Sequence, residues 1–193
     1  MKLFRTYRAT IARPADNTAY AAGDEVSNHA TAGSVVRATV NLDGFTQGRL
    51  LGAAMDITPA SGNFINTAAN FELSLWKATD LPSAVGDNVT HPIAAAEFQK
   101  ALGVFWFDDG GWTGQLGAAA GTVTSAFQRV NSHLVNPLAT PGLQEPAPRG
   151  IPFSFVGDPL ANRTLTIVLR ALAAWTPTGV INTFGIYFDV EAE

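Results

Sequence analysis

The sequence predicts an all-β fold, an antiparallel sandwich or barrel. Three observations carry that expectation: period-two hydrophobic alternation, turn-forming residues between the alternating segments, and few helical signals. Val36, Ala38, Val40 and Leu42 interleave with Val35, Arg37, Thr39 and Asn41. Phe71, Leu73 and Leu75 interleave with Glu72, Ser74 and Trp76. Leu165, Ile167, Leu169 and Ala171 interleave with Thr164, Thr166, Val168 and Arg170, and Phe184, Ile186, Phe188 and Val190 with Thr183, Gly185, Tyr187 and Asp189. Each series gives an extended strand one apolar side and one mixed side. Further strands are expected over Leu3–Ile11, Arg49–Ile57, Gly103–Phe107 and Ile151–Val156.

Turn chemistry separates these segments. Asp43-Gly44, Ser61-Gly62-Asn63, Gly86-Asp87-Asn88, Asp108-Asp109-Gly110-Gly111 and Gly157-Asp158-Pro159 all read as turns. About eight or nine strands punctuated in this way indicate the sandwich or barrel. His91–Leu102 has the spacing of one short helix. Thr122–Leu134 fits a helix through Val123, Phe127, Val130 and Leu134, or a strand through Thr122, Thr124 and Val130.

A length of 193 residues fits a single domain spanning 1–193. Residues 110–150 differ in composition, with seven glycines and with prolines at Pro137, Pro141, Pro146 and Pro148. A connection this long in a compact domain is usually functional, and proline-spaced chain is already extended. The segment is read as an inserted Gly/Pro-rich loop or arm that lies on a neighbour.

Charged residues make up 15% of the chain, against roughly 25% in an ordinary soluble domain. A surface of small neutral groups suits protein contact, because burying it costs little desolvation. The net charge is −4 and the basic residues are scattered, so binding to nucleic acid through phosphate neutralisation is not expected. With no cysteine, disulfides, thiolate nucleophiles and zinc ribbons are excluded. Arg5 and Arg8 stand where an export signal needs an apolar run. No stretch approaches the ~18 apolar residues of a membrane-spanning helix, so no membrane partner is expected.

The search for chemistry returns little. His29, His91 and His133 lie far apart without metal-ligand spacing and read as solvated. Asp108-Asp109 and Asp24-Glu25 read as turn carboxylates satisfying backbone N–H groups. No nucleophile elbow or phosphate-binding glycine loop is present. No catalytic residue, metal ligand or cofactor is assigned. Asn88-Val89-Thr90 and Asn162-Arg163-Thr164 match the glycosylation pattern, which is common by chance. The candidate interface residues are Trp76, on the strand side opposite Phe71, Leu73 and Leu75, an anchor if that side is exposed and a core residue if a loop buries it; Trp112, flanked by small residues; and Leu138, Pro141, Leu143 and Pro146 of the arm.

Three stretches carry a resemblance. They are "NTAYAAGDEVS", with Tyr20, Gly23 and Asp24; "FELSLWKATDLPSAVGDNV"; and "RTLTIVLRALAAWTPTGVINTFGIYFDVE". In these the chain resembles the head decoration (cement) proteins and related virion structural proteins of tailed bacteriophages. The resemblance implies a small β-sandwich, often of jelly-roll type, without catalysis or cofactor. It implies a homo-oligomer, a trimer ahead of a dimer, on the outer capsid surface of the virion, bound to the major capsid protein. Competing readings are a carbohydrate-binding jelly-roll module or receptor-binding virion component, built on Trp76, Trp106 and Trp112, and a metal-dependent hydrolase. The hydrolase would require His29, His91 or His133 to meet Asp108 or Asp109.

Overall fold

Alternating segments become strands wherever a neighbour completes their hydrogen bonding. The computed structural model describes residues 3–14, 18–42, 44–61, 70–108, 113–116, 123–131, 150–176 and 180–192. Its strands are β1 (Leu3–Ala12), β2 (Asp24–Val26), β3 (Thr39–Asn41), β4 (Gln47–Ser61), β5 (Phe71–Lys77), β6 (Val89–Thr90), β7 (Gly103–Phe107), β8 (Thr113–Leu116), β9 (Val123–Asn131), β10 (Ile151–Ser154), β11 (Thr164–Ala171) and β12 (Val180–Ala192). A single helical turn, α1, covers Ala95–Phe98.

The strands form two sheets. The first runs β1-β12-β4-β9-β8, with β10 beside β4; the second runs β6-β2-β11-β5-β7, with β3 beside β11. The first strand thus pairs the last, β2 and β3 pair β11, β4 pairs β9, and β5 pairs β7, all antiparallel. This is the pairing of one long ribbon doubled at its middle and rolled into a sandwich, the jelly-roll topology. The choice between sandwich and barrel therefore resolves to a sandwich.

Register sets the core. Ile11, Phe184 and Ile57 form one row across the first sheet. Val26, Leu169, Leu73 and Phe105 form a row across the second. These residues belong to one buried apolar cluster between the sheets. Phe105 meets Phe188 with ring centroids 5.9 Å apart, and Phe71 meets Phe184 edge-on at 5.5 Å. Trp175 closes one end, stacked on Tyr20 at 5.4 Å and edge-on to Phe71 at 5.2 Å.

Some expectations are corrected. The helix expected over His91–Leu102 shrinks to one turn. The alternation over Val35–Leu42 yields only three strand residues, because β3 pairs β11 at Thr39–Asn41 alone, and Val36 is 73% exposed. Within the stretch expected as an arm, Thr113–Leu116 and Val123–Asn131 are strands. β4 offers a ladder over Gly52–Ile57, which settles Thr122–Leu134 in favour of β-structure over its described part. Residues 117–122 and 132–149 lie outside the described residues.

Phe184 is fully buried at the meeting of both sheets. Phe184→Ala is expected to cost about 4 kcal/mol in urea unfolding, as for other large-to-small core changes, whereas Thr10→Ala on the exposed side of β1 should stay within about 0.5 kcal/mol.

Candidate functional site

The outward side of the second sheet concentrates the charge. On β11, Arg170 stands opposite Glu25 of β2 and opposite Glu72 of β5. Its Nε donates to Glu72 Oε1 at 3.2 Å, and a second guanidinium nitrogen donates to the same oxygen. Another nitrogen reaches the His91 carbonyl at 3.3 Å. Glu25 accepts a fork from Arg37, at 3.1 Å to Oε1 and 2.9 Å to Oε2. Arg37 also donates to the carbonyls of Pro82 and Ser83, at 2.5 and 3.1 Å. His91 Nδ1 lies 2.7 Å from Glu25 Oε2, an ion-pair approach rather than an aligned hydrogen bond.

These contacts tie segments 35–38 and 81–91 down onto the sheet. Backbone bonds run alongside them: Asp87 N donates to His29 O, Asn88 N to Glu25 O and His91 N to Gly23 O, at 2.8, 3.0 and 2.9 Å. Gly86 passes so close to the Ala30 carbonyl that a Cβ there would overlap it. Burial by itself pushes the Glu25 carboxyl up, but His91 and Arg37 outweigh burial and hold it below the usual glutamate value.

A second cluster gathers on Asp87. It accepts from Tyr20 Oη at 2.8 Å and from the Ser27 amide at 2.9 Å, with the Arg13 guanidinium 3.4 Å away. Arg13 also lies over the Tyr20 ring, 5.1 Å from its centroid. Here burial wins, and the Asp87 carboxyl is pushed above its ordinary value despite those three partners. Asp24 accepts from Thr90 Oγ1 at 2.9 Å and from the Ala21 amide at 2.6 Å. Gly23, at φ 91°, makes the turn that a side chain would strain. The stretch from Tyr20 to Glu25 is thus the clamp that joins β2, the 81–91 segment and the Trp175 end.

Several of these groups are more deeply buried than the sequence alone shows. Asp24, expected as a turn carboxylate satisfying a backbone N–H, does accept from the Ala21 amide, but it and Glu25 are buried residues of β2. His91 was expected in solvent and is 4% exposed. Trp76, a candidate anchor only if its strand side faces solvent, is fully buried. Segment 78–102 covers it, packing Leu81, Ile93 and Phe98 around Trp76, Ala101 and Val168. Its indole N–H donates to Ser74 Oγ at 2.9 Å. Trp112, Leu138, Pro141, Leu143 and Pro146 lie outside the described residues. So do His133 and Asp109, while His91 meets Glu25 rather than Asp108. Among the described residues no three His, Asp or Glu side chains are placed to hold a metal ion.

The first sheet presents a different outer side. Phe4, Thr6, Arg8, Thr10, Thr58 and Arg129 on it are exposed. Thr6 Oγ1 donates to Asp189 Oδ1 at 3.0 Å, and Arg129 pairs with Asp189 Oδ2. Arg8 lies over the Tyr187 ring at 5.5 Å. A groove of about 440 Å³ opens there, with Phe4, Thr6, Leu51, Gly52, Arg129 and Asp189 among its lining.

Glu25→Gln removes the charge that faces Arg37 and His91, and should destabilise the fold by about 3 kcal/mol at neutral pH. The sign with pH follows from the two shifts. The lowered Glu25 contributes stability above its unfolded value and loses it as pH falls through the folded one. The raised Asp87 contributes below its unfolded value and loses that contribution as pH rises through the folded one. Melting against pH should therefore show stability rising slightly on mild acidification, then collapsing below the ordinary glutamate range. The Glu25→Gln variant should close on wild type in that acid limb.

No family model and no curated protein matches the chain. Among solved structures it is similar to a chain of Desmodium yellow mottle tymovirus, at 13% identity over 100% of this chain and 87% of that one, with a TM-score of 0.25. It is similar to a Cocksfoot mottle virus chain, at 9% identity over 100% and 94%, with a TM-score of 0.26. A semi-empty VLP of Macrobrachium rosenbergii nodavirus, from giant freshwater prawn, gives 10% identity over 100% and 94%, also at 0.26. Likeness this slight supports no inference about what the chain binds or does.

Proposed function

We propose that this chain is a virion structural protein. It attaches to the outside of a phage capsid, bridges major capsid protein subunits there, and associates with itself as a trimer ahead of a dimer. The observation that supports this reading best is the contrast between the sheets. The second sheet spends its charged side chains on holding its own covering segments. On the first sheet the outward side is exposed at β1, through Thr6 and Thr10, and at Thr58 and Arg129, whose charge is matched by Asp189, while Ala54 in the middle of that side is 4% exposed. Such a surface is desolvated at low cost when another protein covers it.

A jelly roll hosts lectin and enzyme domains as readily as capsid proteins, so the topology alone does not choose. The exposed β1 side of the first sheet, together with the resemblance carried by Tyr20, Gly23 and Asp24, supports the adhesive role. Cementing of this kind is additive, because each copy contributes one interface of modest free energy and bursting the shell breaks many together.

Adding the purified chain to phage capsids that lack it should yield shells that carry it through sedimentation and show added density in negative stain. Light scattering of the free chain should report more than one copy per particle. A chain that stays in the supernatant with every capsid offered contradicts the proposal.

A further inference from the structure

The groove on the first sheet sits at a seam. β4 changes partner there: Gln47–Leu50 pair with β10 and Gly52–Ile57 pair with β9, leaving Leu51 between them. On its other side β12 shifts register at the same point, Asp189 facing Gly52 and Val190 facing Leu50. Leu51 therefore has no register partner on either side. Bulges of this kind re-aim side chains and recur next to binding sites. Gly52 supplies a floor without a side chain, between Asp189 on β12 and Asn131 on β9.

The lining is specific in type. The Phe4 side chain is on β1 and 66% exposed, a large aromatic surface left in water. Asp189 is held from both sides, by Thr6 Oγ1 and by Arg129, so its carboxylate is fixed before any ligand arrives. The Arg129 side chain is 63% exposed, which leaves further guanidinium N–H donors facing solvent. The volume, about 440 Å³, falls among small-ligand sites.

We propose that this groove binds a neutral saccharide. A sugar ring offers an apolar C–H side to an aromatic ring and hydroxyl groups that both donate and accept. Phe4 matches the first; the Asp189 lone pairs and the Arg129 donors match the second. Arg129 and Asp189 neutralise each other, and Arg5 completes the charged part of the lining. The site uses none of the tryptophans on which a carbohydrate-binding reading of the sequence rests. It does not depend on attachment to a capsid.

The test uses the free full-length chain. Saturation-transfer NMR and a printed panel of neutral hexose and N-acetylhexosamine oligosaccharides should show binding in the millimolar range or tighter. Phe4→Ala and Asp189→Asn should each weaken it roughly tenfold or more, with melting temperatures unchanged. Arg8→Ala, outside the groove lining, should leave it intact. No binding of any neutral saccharide at about 10 mM by the folded wild type overturns the proposal. So does binding that survives both groove substitutions. Neither result bears on sedimentation with capsids, so the two proposals fail separately.

Discussion

The structure depends on one electrostatic constraint. Arg170 sits mid-sheet between Glu25 and Glu72 and pairs with Glu72, while Glu25, 1% exposed, draws its partners from outside the sheet. Charges taken out of water are tolerated only when paired and hydrogen bonded. Arg37 and His91 complete the set on Glu25, and each arrives on a connecting segment rather than on a neighbouring strand. The pairing therefore decides where segments 35–38 and 81–91 lie. Their position in turn buries Trp76, and this seals the outer side of the second sheet. On the opposite sheet, among the described residues, Thr6, Asp189 and Arg129 pair with one another on the outward side, and Thr6, Thr10, Thr58 and Arg129 stay exposed.

The Asp87 cluster extends the same logic to the end of the sandwich. Tyr20 hydrogen bonds to Asp87 through its hydroxyl, stacks on Trp175 through its ring, and exchanges backbone hydrogen bonds with Trp175 at 2.7 and 3.0 Å. One residue thus links the polar clamp, the apolar core and the approach to β12. The two carboxylates shift in opposite directions because their partners differ in charge. Glu25 faces a guanidinium and an imidazole at short range. Asp87 is held mostly by neutral donors, with Arg13 at the longer distance of 3.4 Å.

Most of the strand pattern was legible in the sequence, because burial on one side of a sheet enforces period two. Thr164–Ala171 and Thr183–Val190 carry that alternation, with Leu165, Ile167, Leu169, Phe184, Ile186, Phe188 and Val190 in the core. The buried polar layer was far less legible. Asp24-Glu25 follows a glycine and looks like a turn, since nothing local shows that Arg37, His91 and Arg170 will converge on it. One signal was present: Glu72 and Arg170 occupy the mixed sides of two alternating segments, and strand neighbours of opposite charge pair across a sheet. The burial of Trp76 was not legible because it depends on segment 78–102, whose first part, with Pro82 and Gly86, reads as a polar turn. Val123–Asn131 was ambiguous because strand preference is set by the partner, here β4, more than by the segment itself.

The central claim is that one outer sheet side is closed by the chain's own charge network while the other is exposed along β1. Hydroxyl-radical footprinting of the free protein tests it directly, read by mass spectrometry at single residues. The account requires Trp76, an intrinsically more reactive side chain than phenylalanine, to remain unmodified while Phe4 and Tyr187 are oxidised. Modification of Trp76 at a rate matching or exceeding that of Phe4 in the native protein would contradict it.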